Sequence, residues 1–271
     1  MGGIVFPLIL RQLLPTLGFA WSCRILALIM LGLSIPANLF IKSRLTPARG
    51  TKFSVWQWPD FKIFRDPRFA FSSVGVVFME WGLFVPLTFI VSYAAKHGQH
   101  AIDSFVLLAY LNAASVVGRV VPGLLADKLG RFNVIIGTIA LCVATVLGLW
   151  LPAGMSQPLL IAFVVLFGFA SGSNLGLIPV CIGQLCETAR YGTYFSTTMM
   201  VASFGTLSSV PIGGALLEIG GHGGTGDGET AGSDRGWMAV ILFSGVSYAI
   251  ALVFFTTARV LAVGWKPLSK F

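Results

Sequence analysis

Seven long apolar stretches constrain this chain more than any other feature of its sequence. A helix that crosses a bilayer needs about 20 mostly apolar residues, and stretches of that kind lie at 22–41, 69–94, 102–125, 133–151, 158–182, 193–217 and 237–261. A shorter apolar segment at 2–10 has the same character. Because hydrocarbon offers no hydrogen bonds to an open backbone, segments that span it must be helical or form a closed barrel. Their length favours helices, so we predict an all-α, polytopic membrane protein.

The composition agrees with a membrane protein. Hydrophobic residues make up 56% of the chain and charged residues only 10%, with a mean hydropathy of +0.86, whereas soluble domains carry about 25% charged residues. The net charge of +8 does not indicate a nucleic-acid partner, because the basic residues are scattered between apolar runs and form no continuous stripe. We expect the lipid bilayer to be the main partner of this chain.

The distribution of basic residues predicts the orientation. Lys and Arg near membrane ends remain cytoplasmic far more often than they are translocated. If the basic, proline-containing link 42–68 is cytoplasmic, most of the 18 Lys and Arg residues lie on that side. The exceptions are Arg11, Arg24, Lys96 and Arg235 outside and Arg119 within a span. The link 42–68 also separates one full span from six, so we predict a domain boundary there.

One tight turn between the third and fourth full spans carries a specific motif. Its residues are Gly123, Asp127, Lys128, Gly130 and Arg131, in the spacing G-x-x-x-D-K-x-G-R. A turn that served only the positive-inside bias would need basic residues but not these glycines and this aspartate. The segment resembles the corresponding loop of the major facilitator superfamily.

Further residues narrow the resemblance to the monocarboxylate-transporter branch, particularly its fungal members. They lie at 2–7, 11–14 and 81–86, together with Arg119 four residues before Gly123. The resemblance covers the chain from late helix five to helix twelve. It implies three parts: the end of helix five and helix six at 1–41, a cytoplasmic central loop at 42–68, and a C-terminal six-helix bundle with a short tail at 69–271.

Arg119 is the first candidate substrate-binding residue. In the related family the matching arginine faces the central cavity and pairs with the substrate carboxylate. An arginine at a helix centre costs about 2.5–3.5 kcal/mol on insertion scales, so it needs water, a partner or a function. The alternative is that Arg119 merely snorkels to the interface or pairs locally. The family often has an aspartate one turn earlier, where this sequence has Ser115.

Three polar residues in other spans complete the predicted site. Glu80 lies deep in the span 69–94 and could take up a coupling proton, remain a neutral structural acid, or pair with Arg119. Ser173 and Asn174 lie in a glycine-interrupted segment, a feature that marks transporter binding sites. Packing alone would explain the glycines, but we include Ser173 and Asn174 as candidates for binding the substrate.

We also predict a cytoplasmic latch at the motif turn. Its members are the motif residues Gly123, Asp127, Lys128, Gly130 and Arg131, and Glu187 in the next loop on the same side. Asp127 would approach the exposed amides near 192–193 and Arg131 would bridge to Glu187. The alternative is that these charges are solvated topology signals.

Several other patterns carry no function. The stretch 221–226 fits G-x-G-x-x-G but has no preceding strand and opens no helix, so a nucleotide site is excluded. His97 and His100 have no further ligands nearby, so a metal site is not expected. We interpret the four cysteines as packing residues: Cys23, Cys142, Cys181 and Cys186. With no nucleophile–base pair and no expected cofactor, an enzyme is disfavoured.

The sequence thus favours a secondary active transporter of small carboxylates in the plasma membrane. Monocarboxylates are the expected substrates, and proton coupling remains open. Its alternative is a truncated membrane protein that does not transport and has a regulatory role or no autonomous function.

Overall fold

The computed structural model describes residues 2–41, 61–97, 104–218 and 233–264. These residues form seven helices and no strand, which confirms the predicted all-α class. All seven are long and apolar enough to cross a membrane. We label them in chain order as α1 Gly2–Phe40, α2 Pro67–Lys96, α3 Ser104–Leu129, α4 Arg131–Thr145, α5 Gln157–Gln184, α6 Tyr191–Glu218 and α7 Asp234–Val263. Short turns at Phe61–Arg65, Val146–Trp150 and Thr188–Arg190 adjoin them.

The chain divides into two compact units, Met1–Trp58 and Pro59–Phe271. The first contains α1, which is interrupted at Gly18, where φ is 73° and ψ is 172°. L-residues with side chains avoid this backbone conformation, so Gly18 separates two helical segments. The sequence predicted the same two segments, with the division between 10 and 22.

Helices α2 to α7 form the second unit, and their ends follow local capping rules. Asp66 precedes α2 and accepts a hydrogen bond from the Arg68 backbone amide at 3.0 Å, with Pro67 at the first helical position. Ser233 caps α7 by accepting from the Gly236 amide at 3.1 Å. Such caps satisfy amides that have no partner inside a helix, which fixes where α2 and α7 begin.

The predicted motif turn consists of a single residue between two helices. Gly130 stands between α3 and α4 with φ 94° and ψ 138°, a conformation that favours glycine. Arg131 then opens α4. The backbone conformation at this position therefore explains why the motif has a glycine there.

Helices α3 and α5 approach so closely that three glycines are required. A Cβ at Gly118 would lie 2.0 Å from the Phe169 carbonyl oxygen. One at Gly168 would lie 2.5 Å from the Leu111 oxygen, and one at Gly172 would lie 2.5 Å from the Ser115 oxygen. Small residues at helix contacts allow this backbone-to-backbone packing. The glycines of the 168–176 segment therefore serve packing at these two positions.

Aromatic side chains fill the core on the other side of α5. Trp150, Phe163 and Phe167 stack in sequence with ring centroids 5.1 and 5.2 Å apart. The ring of Tyr248 on α7 meets Phe167 edge-on at 6.0 Å. All four side chains are fully buried, so this column joins α5 to α7 through the interior.

We expect Gly172→Ala to destabilise the second unit. The added methyl would meet the Ser115 backbone, and overpacking of this kind costs about 1–3 kcal/mol. Gly137→Ala on α4 is the matched control, because a Cβ there has nothing within 4 Å and alanine gains up to about 1 kcal/mol in helix propensity. Thermal unfolding of the purified protein, followed by tryptophan fluorescence, measures both variants. A Gly172→Ala protein that unfolds at or above the wild-type temperature would contradict this packing account.

Candidate functional site

Arg119 lies on α3 with an exposed side chain. Its Cγ would be 3.9 Å from a Cβ placed at Gly176 on α5, and Gly176 is exposed as well. In the part of the chain that the structure describes, Arg119 makes no ion pair and no hydrogen bond to a side chain. The guanidinium is therefore available on an outer surface of the second unit, next to a position without a side chain.

The α3–α5 contact positions this arginine. Gly118, directly before Arg119, faces the Phe169 backbone, so its neighbour in the helix is turned about 100° away from that contact. Ser115, one turn earlier, is 7% exposed, and its Oγ would be 2.6 Å from a Cβ at Gly172. Ser115 is therefore buried against α5.

Glu80 is buried in the second unit, with 6% of its surface exposed. It has no hydrogen bond and no ion pair among the described residues, and Arg119 is not its partner. The structure therefore does not bring together the acid and the base that the sequence places within the spans. A buried carboxyl without a partner favours its neutral form.

Two hydroxyl contacts between α2 and α6 flank Glu80. Ser73 bonds to Thr198 at 3.3 Å, and Ser73 and Glu80 share a helix face because they are seven residues apart. The indole of Trp81, the next residue, donates to Ser208 at 2.9 Å. Glu80 thus lies along the part of the α2 surface that these bonds align with α6.

Ser173 and Asn174 are buried, each with 1% exposure. The Ser173 hydroxyl donates to the Ala170 carbonyl of its own helix at 2.7 Å. Asn174 accepts from Thr138 at 2.7 Å and donates to the Cys142 sulfur at 3.4 Å, so its amide is bonded to α4. The structure does not place them beside the exposed Arg119 side chain, and their binding of a substrate stays a prediction.

The sequence analysis missed a buried polar group on α7. Tyr248 is fully buried, and its ring lies 2.4 Å from where a Cβ at Gly82 would be. Its hydroxyl makes no hydrogen bond among the described residues. A lone tyrosine within the apolar span 237–261 was the available signal.

The members of the predicted latch lie at the ends of α3, α4 and α5. Asp127, Lys128 and Glu187 are exposed, Arg131 is half-buried and Gly130 is buried. A Cβ at Gly123 would have nothing within 4 Å. Arg131 forms no ion pair with Glu187 in the described ranges, and no hydrogen bond joins Asp127 to the amides at 192–193 there. The latch therefore stays a prediction.

Two other polar contacts tie α7 to neighbouring helices at opposite ends. Lys96 at the end of α2 bonds to Asp234 at the start of α7, with Nζ and Oδ1 2.7 Å apart. At the far end of α7, Arg259 donates through Nε to the Oδ1 of Asn133 on α4. The sequence analysis did not pair these residues, since their partners are more than 100 positions away.

The remaining predictions concern ligands outside the chain. Within the described ranges there is no group of three or more His, Cys, Asp or Glu residues that could hold a metal ion. His100 and the stretch 221–226 lie outside the described residues. Burial raises the pKa of the Cys186 thiol, although the nearby Arg190 lowers it.

Comparisons with known proteins give the family. A family profile described as Major Facilitator Superfamily matches residues 1–209. An MFS-type transporter of Penicillium oxalicum is 40% identical over 271 residues, covering 100% of this chain and 60% of that protein. The riboflavin transporter MCH5 of Saccharomyces cerevisiae is 34% identical over 285 residues, covering 98% of this chain and 52% of that protein.

A third relative is the aspyridones efflux protein apdF of Emericella nidulans, 35% identical over 224 residues, which cover 82% of this chain and 44% of that protein. No solved structure matches the chain significantly. The chain spans about half the length of the curated relatives it matches. The family profile covers most of the sequence and the described helices have membrane-spanning length, so this chain is a multi-pass membrane protein that belongs to the Major Facilitator Superfamily.

Proposed function

We propose that this chain forms the C-terminal part of a secondary active transporter of small carboxylates, with monocarboxylates as the first class to test. The exposed guanidinium of Arg119, next to the bare backbone of Gly176, is the observation that carries the proposal. In such transporters the substrate binds near the midplane between two halves that rock against each other. A second six-helix half would supply the facing wall.

The chemistry of Arg119 suits a carboxylate. A guanidinium presents a planar fork of donors that matches the two oxygens of a carboxylate. A charge on a membrane span without a protein partner is expensive unless water or a ligand reaches it. A water-filled substrate cavity supplies both, and Gly176 leaves space for a ligand beside the charged group.

Glu80 is the proposed site for a coupling proton. Its burial and lack of a cationic partner stabilise the protonated form, and a conformational change that admits water would release the proton. Proton-linked transport of a carboxylate then needs no direct bond between Glu80 and Arg119. We place this activity in the plasma membrane, where exchange with the medium occurs.

The relatives' names favour a second candidate substrate class. One relative is a riboflavin transporter and another is an aspyridones efflux protein. Under this alternative, the same surface around Arg119 would accept a larger organic molecule, and the direction could be export. A different class of function is that of a truncated membrane protein that does not transport and has a regulatory role. The uptake experiment described next distinguishes this class from a transporter.

Uptake measurements with matched variants test the proposal. Arg119→Lys should lower uptake of a labelled monocarboxylate by about tenfold or more, because a point charge cannot replace the bidentate pair and tenfold corresponds to only about 1.4 kcal/mol. The measurement uses cells expressing the chain with the helices that would precede it in a full transporter fused in frame, for example those of the Penicillium oxalicum relative upstream of the matched region. Arg235→Lys, the same exchange at an exposed position of α7, is the control and should leave uptake unchanged.

The outcomes separate the candidates. Undiminished uptake in Arg119→Lys would remove the carboxylate-binding role. Uptake of labelled riboflavin that excess monocarboxylate does not reduce would favour the larger substrate. No transport of any of these compounds, with the protein present in the membrane, would favour the non-transporting alternative.

The latch generates a separate prediction. If Asp127 approaches the amides near 192–193 in one access state, Asp127→Asn should slow transport by about two- to fivefold. This range follows from the roughly 0.3–1 kcal/mol gained by an exposed carboxylate at the positive end of a helix. The substrate concentration for half-maximal uptake should stay the same. Glu218→Gln, which neutralises an exposed acid at the end of α6, is the control. A transport rate unaffected by Asp127→Asn would show that these charges only set topology.

A further inference from the structure

A short helical segment directly before α2 exposes two basic side chains on one face. The segment is a 3₁₀ helix, Phe61–Arg65, and residues three apart in such a helix lie above one another. Lys62 and Arg65 are therefore neighbours on one face, and both are exposed. Ile63 is buried with 5% exposure and packs in the core of the second unit. We call the surface formed by Lys62 and Arg65 the cationic face.

A row of aromatic rings joins this segment to the start of α6. Phe61 stacks with Phe64 at 6.4 Å between centroids, and Phe64 meets Phe69 edge-on at 5.2 Å. Phe69 is fully buried and meets Tyr194 of α6 edge-on at 5.0 Å. The Arg190 guanidinium lies over the Tyr194 ring, 5.8 Å from its centroid. Arg190 therefore lies at the same end of the bundle as the cationic face, although the two segments are far apart in the sequence.

The acidic residues around the cationic face leave it positively charged. Asp66 is occupied by Arg68, whose guanidinium donates to the two carboxylate oxygens at 3.2 and 3.1 Å. The Arg65 side chain makes no ion pair and no hydrogen bond among the described residues. In the sequence from 42 to 65, six basic residues stand against one acid, Asp60. A ligand for this surface must therefore be an anion.

The position of the cationic face favours the membrane over a dissolved partner. Helix α2, which is long enough to span a membrane, begins at Pro67, so Lys62 and Arg65 lie at the end of a span. Phe61 beside them is 60% exposed, and an aromatic ring next to cations suits the boundary between headgroups and acyl chains. Anionic lipids attract basic residues that adjoin a membrane-spanning helix. A small dissolved anion would use the charges but leave Phe61 in water.

We propose that the cationic face, together with Arg190, binds the headgroups of anionic phospholipids in the adjacent leaflet. The distribution of basic residues predicts that this leaflet is the cytoplasmic one. Glu187 is an exposed acid close to Arg190 in the sequence, so Lys62 and Arg65 carry most of the binding. Because the ring row connects the segment to α6, a bound lipid holds the starts of α2 and α6 at one level of the membrane. The inference goes beyond the proposed transport and does not rest on it.

Calorimetric titration of the purified chain in phosphatidylcholine nanodiscs tests this binding. Short-chain phosphatidylserine and phosphatidylcholine are added in parallel, and the heat from empty nanodiscs is subtracted. A basic residue near an anionic surface changes affinity about fivefold. Arg65→Gln should therefore weaken phosphatidylserine binding about fivefold, and the double variant of Lys62→Gln and Arg65→Gln about 25-fold. Binding of phosphatidylcholine should be weak and the same in every variant.

Three further variants make the result specific. Arg235→Gln removes the same charge from an exposed position of α7, at the opposite end of the bundle where Asp234 meets Lys96, and should bind phosphatidylserine as wild type does. Arg65→Lys keeps the charge and should restore binding, because a lysine also binds phosphate as a point charge. Phe61→Ser keeps every charge and should weaken binding about threefold or more, since the ring no longer contacts the lipid.

The possible outcomes decide the proposal. Equal weakening in Arg65→Gln and Arg235→Gln would overturn it, because binding would then follow net charge alone. Equal affinity of the wild type for phosphatidylserine and phosphatidylcholine would also overturn it. Displacement of phosphatidylserine by inorganic phosphate at constant ionic strength would assign the surface to a dissolved anion instead of a lipid. None of these results bears on uptake, so the role of Arg119 in transport is decided separately.

Discussion

The contact between α3 and α5 leaves no space for a side chain at Gly118, Gly168 or Gly172. In a bilayer, helices gain little from burying apolar surface, and close packing of small residues supplies the attraction instead. This contact brings the Arg119 side chain next to Gly176 and buries Ser115. The position of the only charged residue in the middle of α3 is therefore a consequence of how tightly two backbones pack.

The polar groups of the second unit fall into two sets with different roles. Thr138, Asn174 and Cys142 bond to one another inside the bundle, which holds α4 and α5 together. Arg119 and Glu80 have no partner in the described structure. Buried polar groups are usually bonded, so unpaired ionisable groups on membrane spans point to ligands, water or protons. In the function we propose, the two groups serve substrate and proton separately.

Much of the fold could be predicted because membrane helices follow length and hydropathy. The spans 69–94 and 237–261 lie within Pro67–Lys96 and Asp234–Val263, and differences at the ends reflect caps such as Asp66 and Ser233. The motif glycine at 130 was recognised from spacing, and its positive φ supplies the physical reason.

The side-chain partners could not be predicted in the same way. Asn174 was expected at a binding surface, but the rotation of α5 that the glycine contact imposes turns its amide towards Thr138 on α4. Tyr248 packs against Gly82, which lies more than 100 positions earlier in the sequence, so no local pattern relates them. Hydropathy identifies the segments that cross the membrane. The rotation of each helix about its own axis depends instead on contacts between residues far apart in the chain.

The central claim is that the surface around Arg119 and Gly176 faces water in the assembled transporter. Labelling of a cysteine introduced at Gly176 with a membrane-impermeant thiol reagent tests it, with Cys23 and Cys186 replaced because they are not buried. Gly137→Cys, an exposed position on α4 without neighbours, is the reference position that we expect to face lipid. Our account predicts fast labelling at 176 that added monocarboxylate slows, and little labelling at 137. Equal, slow labelling at both positions, unaffected by carboxylate, would contradict it.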